Sequence, residues 1–563
     1  MESTLIELDL RHRSNLPGSI LRRLNDIMVR DVPTFNTMIA ALSQGRERDI
    51  DWWVSSPATR NNHVSMLHAR CTQLALIREL TDAGNSLLVL LDCPTTAAVL
   101  RHAAIPNLSI RLEGALKTSL RRLAKQATDI AASAFHCTAA ALAAWLTRPA
   151  IRATSDRPLT IINTFVSRQS LHEGRFHDRY FPGLIESLSA IEQSCCRYIP
   201  VFYRMRDYIG AFRILRRNSI AFLFYEDHLD FADYLFAFGH WWRARKFRGL
   251  KAHYAGFEIG PLIDLDARNG RFASIVVRAL LAHRFHLRAR ERGLSFRTVL
   301  DWYEGLDYNH AIAAAINWGN SRASITGFRS AGSLYYMSCT PAPHEVAAGV
   351  VPSRMAVVGT GLAEEIKTLC PALNVITAPG MRYRRLMTLE REPVDGGAVL
   401  VALPLSRALA VDNIRTLAAA RRRMASPPRH WWVKSHPALP EDEIVALLGG
   451  ILPEGFEFVR GDFYFWLARS QLVAGVASSA LMESTAFGIP TICLAEGNAP
   501  VEVPVPSWVA PSLSRVTYDA QETADAITTM ISADNSEVDF PQLHAALLGS
   551  VTQPEMRDLL ELA

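Results

Sequence analysis

Two apolar runs, each cut short by small polar residues and followed by a helical stretch, organise residues 431–490 of this chain. The first, Trp431-Trp432-Val433, stops at His436-Pro437, where proline has no amide hydrogen to give a neighbouring strand. A helix is predicted directly after it. Pro440 stands at a first helical position, Glu441, Asp442 and Glu443 fill the first turn, and Gly449-Gly450 ends it. The second run, residues 472–476, leads into Ser478-Ser479, a helical stretch, Gly488-Ile489-Pro490 and another apolar strand. Strand, loop, helix and strand, with polar residues at the strand ends, is the pattern of a doubly wound parallel sheet. Such sheets bind ligands beyond the carboxyl ends of their strands.

The same pattern runs along the rest of the chain. Apolar periodicity predicts strands over 52–55, 86–91, 159–166, 198–202, 220–225, 299–302 and 324–327. A second series follows at 355–358, 374–377, 398–403, 430–433, 456–459 and 472–474. Helices are predicted over 20–29, 35–42, 74–83, 308–318 and 363–369. Residues 338–354, rich in proline and small side chains, read as the linker between the two series. The expected organisation is therefore an N-terminal Rossmann-like domain over 1–345, carrying helical insertions at about 100–150 and 227–297. A C-terminal Rossmann-like domain over 346–535 and a helical extension over 536–563 complete it. The fold class is α/β, with two doubly wound domains.

Composition narrows the function classes. At 563 residues the chain exceeds one ordinary core, and 49% hydrophobic with 20% charged residues is globular. A net charge of +5 does not demand a nucleic-acid partner, and no RNA-binding motif accompanies the basic segments. Eight cysteines without a CxxC spacing support neither a metal site nor a disulfide framework, and fit a reducing cytoplasm. The opening residues, MESTLIELDLRHR, lack the apolar core of a signal peptide. The longest apolar stretch, 130–146, is interrupted by Ser133, His136 and Thr138, so a soluble or peripherally attached protein is expected. Lys117, Arg121, Arg122 and Lys125 lie at helical spacing, and 240–254 and 280–293 mix basic and aromatic residues. These are solvated basic faces, or contacts to the inner face of an anionic cytoplasmic membrane.

Several strand ends carry chemistry. Ser478 and Ser479 stand where a helix begins, and its unpaired amides and partial positive charge suit a phosphate. That dipole contributes only about 0.3–1 kcal/mol, so further donors are needed, and Lys434 and His436 on the adjoining strand end supply them. Glu483, one turn into the helix, is placed to accept from a ribose. Upstream, Glu304 and, in reserve, Asp307 follow the strand at 299–302, and Arg329 ends the strand at 324–327 on the expected acceptor side. Gly359 opens a weak glycine-loop signal, Gly359-Thr360-Gly361, that lacks a full dinucleotide fingerprint.

His436-Pro437 at a strand end, followed by the pair Ser478-Ser479 at a later helix, resembles the bacterial sialyltransferases and related CMP-sugar transferases of the GT-B fold. The run from Glu483 to Gly488 and Pro490 resembles the wider GT-B donor domain. WYEGLDYNHAIAAAI with ASITGFRSAG looks like bacterial surface-carbohydrate biosynthesis proteins (lipopolysaccharide, O-antigen or capsule) related to them. The resemblance covers roughly residues 300–500. It implies a GT-B-like, metal-independent, inverting glycosyltransferase that uses a nucleotide-sugar co-substrate and no resident cofactor. The sugar would be sialic-acid-like or Kdo-type, carried on CMP and moved to a glycan or lipid-linked acceptor. Lys434, His436, Pro437, Ser478, Ser479, Glu483 and Gly359 would bind the donor nucleotide. Glu304, or Asp307, would be the base, and His436 would act on the leaving phosphate. The family's acidic pair is only half present, since Tyr303 occupies its first position. Three other readings stay open: a CDP-alcohol phosphotransferase of the teichoic-acid type, a nucleotide-sugar epimerase, and a non-catalytic nucleotide- or carbohydrate-binding protein.

Overall fold

The computed structural model describes residues 5–12, 14–148, 157–319, 322–330, 340–476 and 478–562. Three parallel sheets carry the architecture. The first is small and joins β1 (Leu5–Asp9), β2 (Ser86–Leu91) and β3 (Leu108–Leu112). The second consists of β4 (Leu159–Val166), β5 (Cys196–Phe202), β6 (Phe296–Trp302), β7 (Ser324–Arg329), β8 (Arg354–Val358) and β9 (Val375–Ala378). The third consists of β10 (Ala398–Ala402), β11 (His430–Lys434), β12 (Phe456–Phe458), β13 (Leu472–Gly475), β14 (Thr491–Leu494) and β15 (Ser514–Thr517).

The two larger sheets are all-parallel and doubly wound, the GT-B-like plan. The second runs β9-β8-β7-β6-β4-β5 and the third β12-β11-β10-β13-β14-β15. Both faces are covered, which is why their strands are nearly continuous apolar runs. Ile161, Ile162, Val299, Leu300, Ile325 and Ala356 are all fully buried. Each sheet reverses its winding at one point, β4/β6 in the second and β10/β13 in the third. Those reversals are where ligand crevices open in such sheets.

Several expectations are corrected. β8 pairs in parallel with β7, and β9 with β8, so both strands extend the second sheet. The change of sheet therefore falls between residues 378 and 398 and not at 346; the proline-rich segment is an internal connection. The expected strand at 52–55 is instead a short helix, Ile50–Trp53, started by Asp49, whose side chain accepts from the Asp51 amide. The Asp51 carboxylate takes hydrogen bonds from Arg243 and pairs with His240 at 2.8 Å, which fixes this turn. Trp52 and Trp53 are buried there because their indole N–H groups reach Ser43 Oγ and the Glu47 carbonyl. The two helices expected at 20–29 and 35–42 are one, α1 (Gly18–Ser43), which carries Pro33 internally. Residues 220–225 contribute only a bridge between Phe222 and Tyr198. β1, β3 and β15 were not expected.

The insertions in the second sheet's domain are helical. α2 (Ala115–Thr147), α3 (Phe231–Arg243) and α4 (Ser274–Arg288) are the ones that matter below, with α5 (Asp307–Trp318), the crossover from β6 to β7. α2 is long and apolar enough, by length and composition, to cross a membrane. α6 (Ser479–Ala486) follows β13. The chain ends in α7 (Phe540–Leu548) and α8 (Gln553–Leu559), which return to the second sheet. Arg354 bonds the carbonyls of Asp558 and Leu559 there, and Arg297 those of Leu560 and Glu561.

Candidate active site

The carboxyl ends of the two large sheets face each other across a cleft of about 350 Å³. One wall comes from the domain of the second sheet: Ser167, Arg168 and Gln169 beyond β4, Tyr203 and Arg204 beyond β5, and Arg179 and Tyr180 from the loop between them. Arg382, just beyond β9, completes it. The other wall is Leu405 after β10 and His436, Pro437 and Ala438 after β11. Four arginines and a histidine line this space and, among the described residues, no carboxylate does. Such a surface recognises a polyanion. Arg204 holds a left-handed backbone, φ +49°, which is costly for a residue with a Cβ and recurs at functional sites.

His436 is held by its own turn. Its Nδ1 accepts from the Ala438 amide at 3.1 Å, so the neutral ring carries its proton on Nε2. Burial, and then the Arg204 cation, push its pKa below the usual histidine value. At neutral pH it therefore enters the cleft as an uncharged N–H donor.

Ser478 caps α6, its Oγ accepting from the Ala480 amide at 3.3 Å. Ser479 Oγ donates to Glu483 Oε1 at 3.1 Å, and Tyr464 donates to Glu483 Oε2 at 2.8 Å. Burial raises the Glu483 pKa, opposed by Arg382 and these two hydroxyls. β10 lies between β11 and β13, so the His436 turn and the α6 start flank the loop after β10, about 10 Å apart. Lys434 ends β11, half-buried, and is not part of the cleft wall.

A second cavity, also about 350 Å³, adjoins the first and shares Tyr203 with it. Its walls are largely apolar and aromatic, with Phe165, Phe202, Tyr208 and Tyr234 among them. Glu304, Glu226 and Arg278 supply its charged groups. Glu304 follows β6 at the winding reversal of the second sheet. Its Oε1 accepts from the Trp302 indole at 2.9 Å. Its amide donates to Asn309 Oδ1, and its carbonyl accepts from Asn61. Asn309 donates in turn to the buried Asp301 at 2.7 Å. Burial pushes the Asp301 pKa up to about 7, against hydrogen bonds from Asn309 and Asn163.

Tyr180, in the wall of the arginine cleft, lies close to Glu304 of the other cavity. Asp178 accepts from the Tyr180 and Phe181 amides and so sets the loop. The Tyr180 ring lies edge-on to Trp302, 4.6 Å between centroids, and burial followed by the Glu304 carboxylate raises its pKa. Glu304 is thus separated from the arginine cleft by little more than aromatic rings.

Ser478, Ser479 and Glu483, like Lys434, line neither cavity wall, and three more residues singled out in the sequence fall elsewhere. Gly359, φ +87°, sits beside the second sheet, where a Cβ would strike the Ala546 carbonyl oxygen at 2.4 Å. It is a glycine because α7 passes there. Asp307 is fully buried at the start of α5, bonded to the Tyr308 amide, and lines neither cavity. It is not placed to be the base. Arg329 is buried at the end of β7 and lines neither cavity. Conversely, Arg168, Arg179, Arg204, Arg382, Tyr180 and Asn309 were not anticipated. With 54 of 60 cationic residues being arginine, no single arginine stood out, though arginines directly after strands β4 and β5 were a usable signal.

No family model matches the chain, and no curated protein does. Among solved structures it is similar to the lipopolysaccharide outer core galactosyltransferase WaaB in its apo form. That match has 11% identity, TM-score 0.41, and covers 72% of this chain and 99% of that one. It is also similar to a UDP-GlcNAc 2-epimerase from Neisseria meningitidis bound to UDP-GlcNAc, at 10% identity and TM-score 0.41, covering 72% and 99%. A glycosyltransferase from Rickettsia africae matches at 11% and 0.36, covering 72% and 100%. Likeness this distant says nothing of the reaction.

Proposed function

We propose that the protein is a nucleotide-sugar-dependent, inverting glycosyltransferase that works without a metal ion. The observation that supports this reading best is the cleft between the two strand-end surfaces, with four arginines, His436 and, among the described residues, no carboxylate in its wall. The donor's phosphates sit there, with His436 Nε2–H directed at the oxygen that gathers charge as the sugar leaves. The start of α6 and Glu483 hold the far end of the nucleotide. Glu304 takes the proton from the acceptor hydroxyl as that oxygen attacks the anomeric carbon.

Four cationic side chains match the charge of a nucleoside diphosphate better than the single phosphate of a CMP-sugar. The sequence resemblance pointed to CMP, so the two donor classes stand against each other directly. Calorimetric titration with CMP, CDP, UDP and GDP decides between them. Binding of a diphosphate at least tenfold tighter than of CMP supports the former. Failure of all four to bind overturns the transferase reading. The second cavity beside Glu304 favours transfer over epimerisation, because an epimerase acts on the donor alone and has no use for an acceptor site.

The acceptor is a membrane-borne glycan or lipid-linked sugar of a surface polysaccharide, reached from the cytoplasmic side. The support is the apolar character of the Glu304 cavity.

A further inference from the structure

α2 has two faces with different fates. Inward, Ser133, Cys137, Ala140 and Ala144 are buried, and His136, Cys137 and Ala140 form part of the apolar cavity wall. Outward, Leu116, Leu120, Leu123, Phe135, Leu142 and Trp145 are between 46% and 75% exposed. These six lie on one stripe of a 3.6-residue helix, opposite the buried face, and the stripe runs about 44 Å. Isolated exposed apolar residues need no explanation, but six on one helix face, clustered at 116–123 and 135–145, do.

α3 repeats the arrangement. Asp233, Ala237 and His240 face inward and Tyr234 lines the same cavity. Phe231, Leu235 and Trp242, spaced by one and two helical turns, are 58–76% exposed. Positive charge joins the two stripes. Lys117 and Arg121 flank the outer face of α2, while Lys125 pairs with Asp129. Gln126 of α2 bonds the carbonyl of Arg268. Arg268 belongs to a group of four with Arg245, Arg248 and Arg271, in which Arg245 covers the Trp242 ring at 3.8 Å. Asp264, beside this group, is engaged by the Gly249 amide. Apolar stripes bordered by cations that form no salt bridge among the described residues match an anionic lipid surface, into which aromatic and leucine side chains insert while basic groups meet the headgroups. A spanning α2 would strip away the inner face that walls the cavity, so the helix lies in the interface.

Resting on the transferase reading, we propose that α2 and α3 seat the protein on an anionic bilayer, and that the cavity they wall takes the apolar chain of the membrane-borne acceptor beside Glu304.

Sedimentation with phosphatidylcholine vesicles, with and without phosphatidylglycerol, tests the seating. Wild type should pellet with the anionic vesicles and be released by high salt. The variant Leu120→Glu/Leu142→Glu/Trp145→Glu, altered only at exposed positions, should bind them at least tenfold less while keeping its nucleotide titration. Wild type remaining in solution, or a variant that pellets like wild type, overturns the seating. Calorimetry with decyl glucoside against butyl glucoside tests the cavity. Wild type should bind the decyl compound at least tenfold tighter, and Ala140→Trp should abolish that preference. If Ala140→Trp fails to fold, Ile275→Trp on the facing α4 wall serves. No chain-length preference in wild type, or its survival in a folded cavity variant, overturns this part. Nucleotide binding reads the transferase proposal separately, so the two can fail independently.

Discussion

The two cavities that meet at Tyr203 are of similar size and opposite chemistry. One is lined by Arg168, Arg179, Arg204 and Arg382 between two sheets; the other is enclosed by aromatic and aliphatic side chains within one domain. The difference shows how the molecule divides labour. A leaving phosphate needs charge that is already oriented, whereas an attacking hydroxyl needs a dry, fixed position next to one carboxylate. Glu304 stands at the boundary: it lines the apolar cavity, and the Trp302 ring that donates to it packs against Tyr180 of the cationic wall.

The largest expected effect separates the cavities at that boundary. Glu304→Gln keeps the shape and removes the base, so transfer should fall by about 10²–10⁴, the range for a general base. Donor affinity should stay within about twofold, because the side chain faces the other cavity. A loss of donor affinity that matches the loss of turnover would move Glu304 into the donor site and break the division.

Next comes the cationic wall. Arg204→Ala and Arg382→Ala each remove a charged donor whose hydrogen bond is worth about 1.5–3 kcal/mol, which is about 10- to 150-fold in nucleotide affinity. Calorimetry should show that loss, together with a shallower salt dependence than wild type. Affinity that survives both substitutions would place the phosphates elsewhere.

These arginines also mark the limit of what the chain discloses in one dimension. β4 was expected over its observed span and β2 likewise, because continuous apolar runs between polar ends allow little else. The α6 start, the His436 turn and the Glu304 corner were legible for a related reason: each is a break in such a run. The sheet to which β8 and β9 belong was not legible, since apolar strands in successive βα units look alike whichever neighbour they join. Trp52-Trp53 misled because a buried apolar triplet fits a strand or a helix turn, and Asp49 and His240 decided it from outside the triplet. Arg382 reaches Glu483 across 101 positions of sequence, a proximity that only the packing of one domain against the other creates.

His436 gives a smaller and more selective effect. As a neutral donor its hydrogen bond contributes about 0.5–1.5 kcal/mol, so His436→Ala should weaken nucleotide binding by about 2- to 12-fold. His436→Gln, whose amide N–H₂ reaches the place of Nε2, should recover much of it. If the glutamine variant is as weak as alanine, the ring acts as a cation or an acid, and its depressed pKa is reversed when the donor binds.

Asp307 sharpens the comparison through stability rather than turnover. It lies three residues from Glu304, fully buried, with burial raising its pKa from 3.8 to about 7 against the Tyr308 amide. A carboxyl raised in the folded state binds protons that the unfolded chain has released, so its stabilising contribution is complete below pH 3.8 and lost as pH rises through 7. Asp307→Asn is neutral throughout. Its stability advantage over wild type should therefore grow between pH 5 and pH 8, by an amount on the order of 2 kcal/mol. Asp301 and Glu226, raised in the same direction, remain in both proteins and cancel in the difference. Thermal melts at the two pH values read this directly, and transfer by Asp307→Asn should stay within a few-fold of wild type. A flat stability difference with abolished transfer would instead make Asp307 the proton acceptor and place Glu304 in the supporting role.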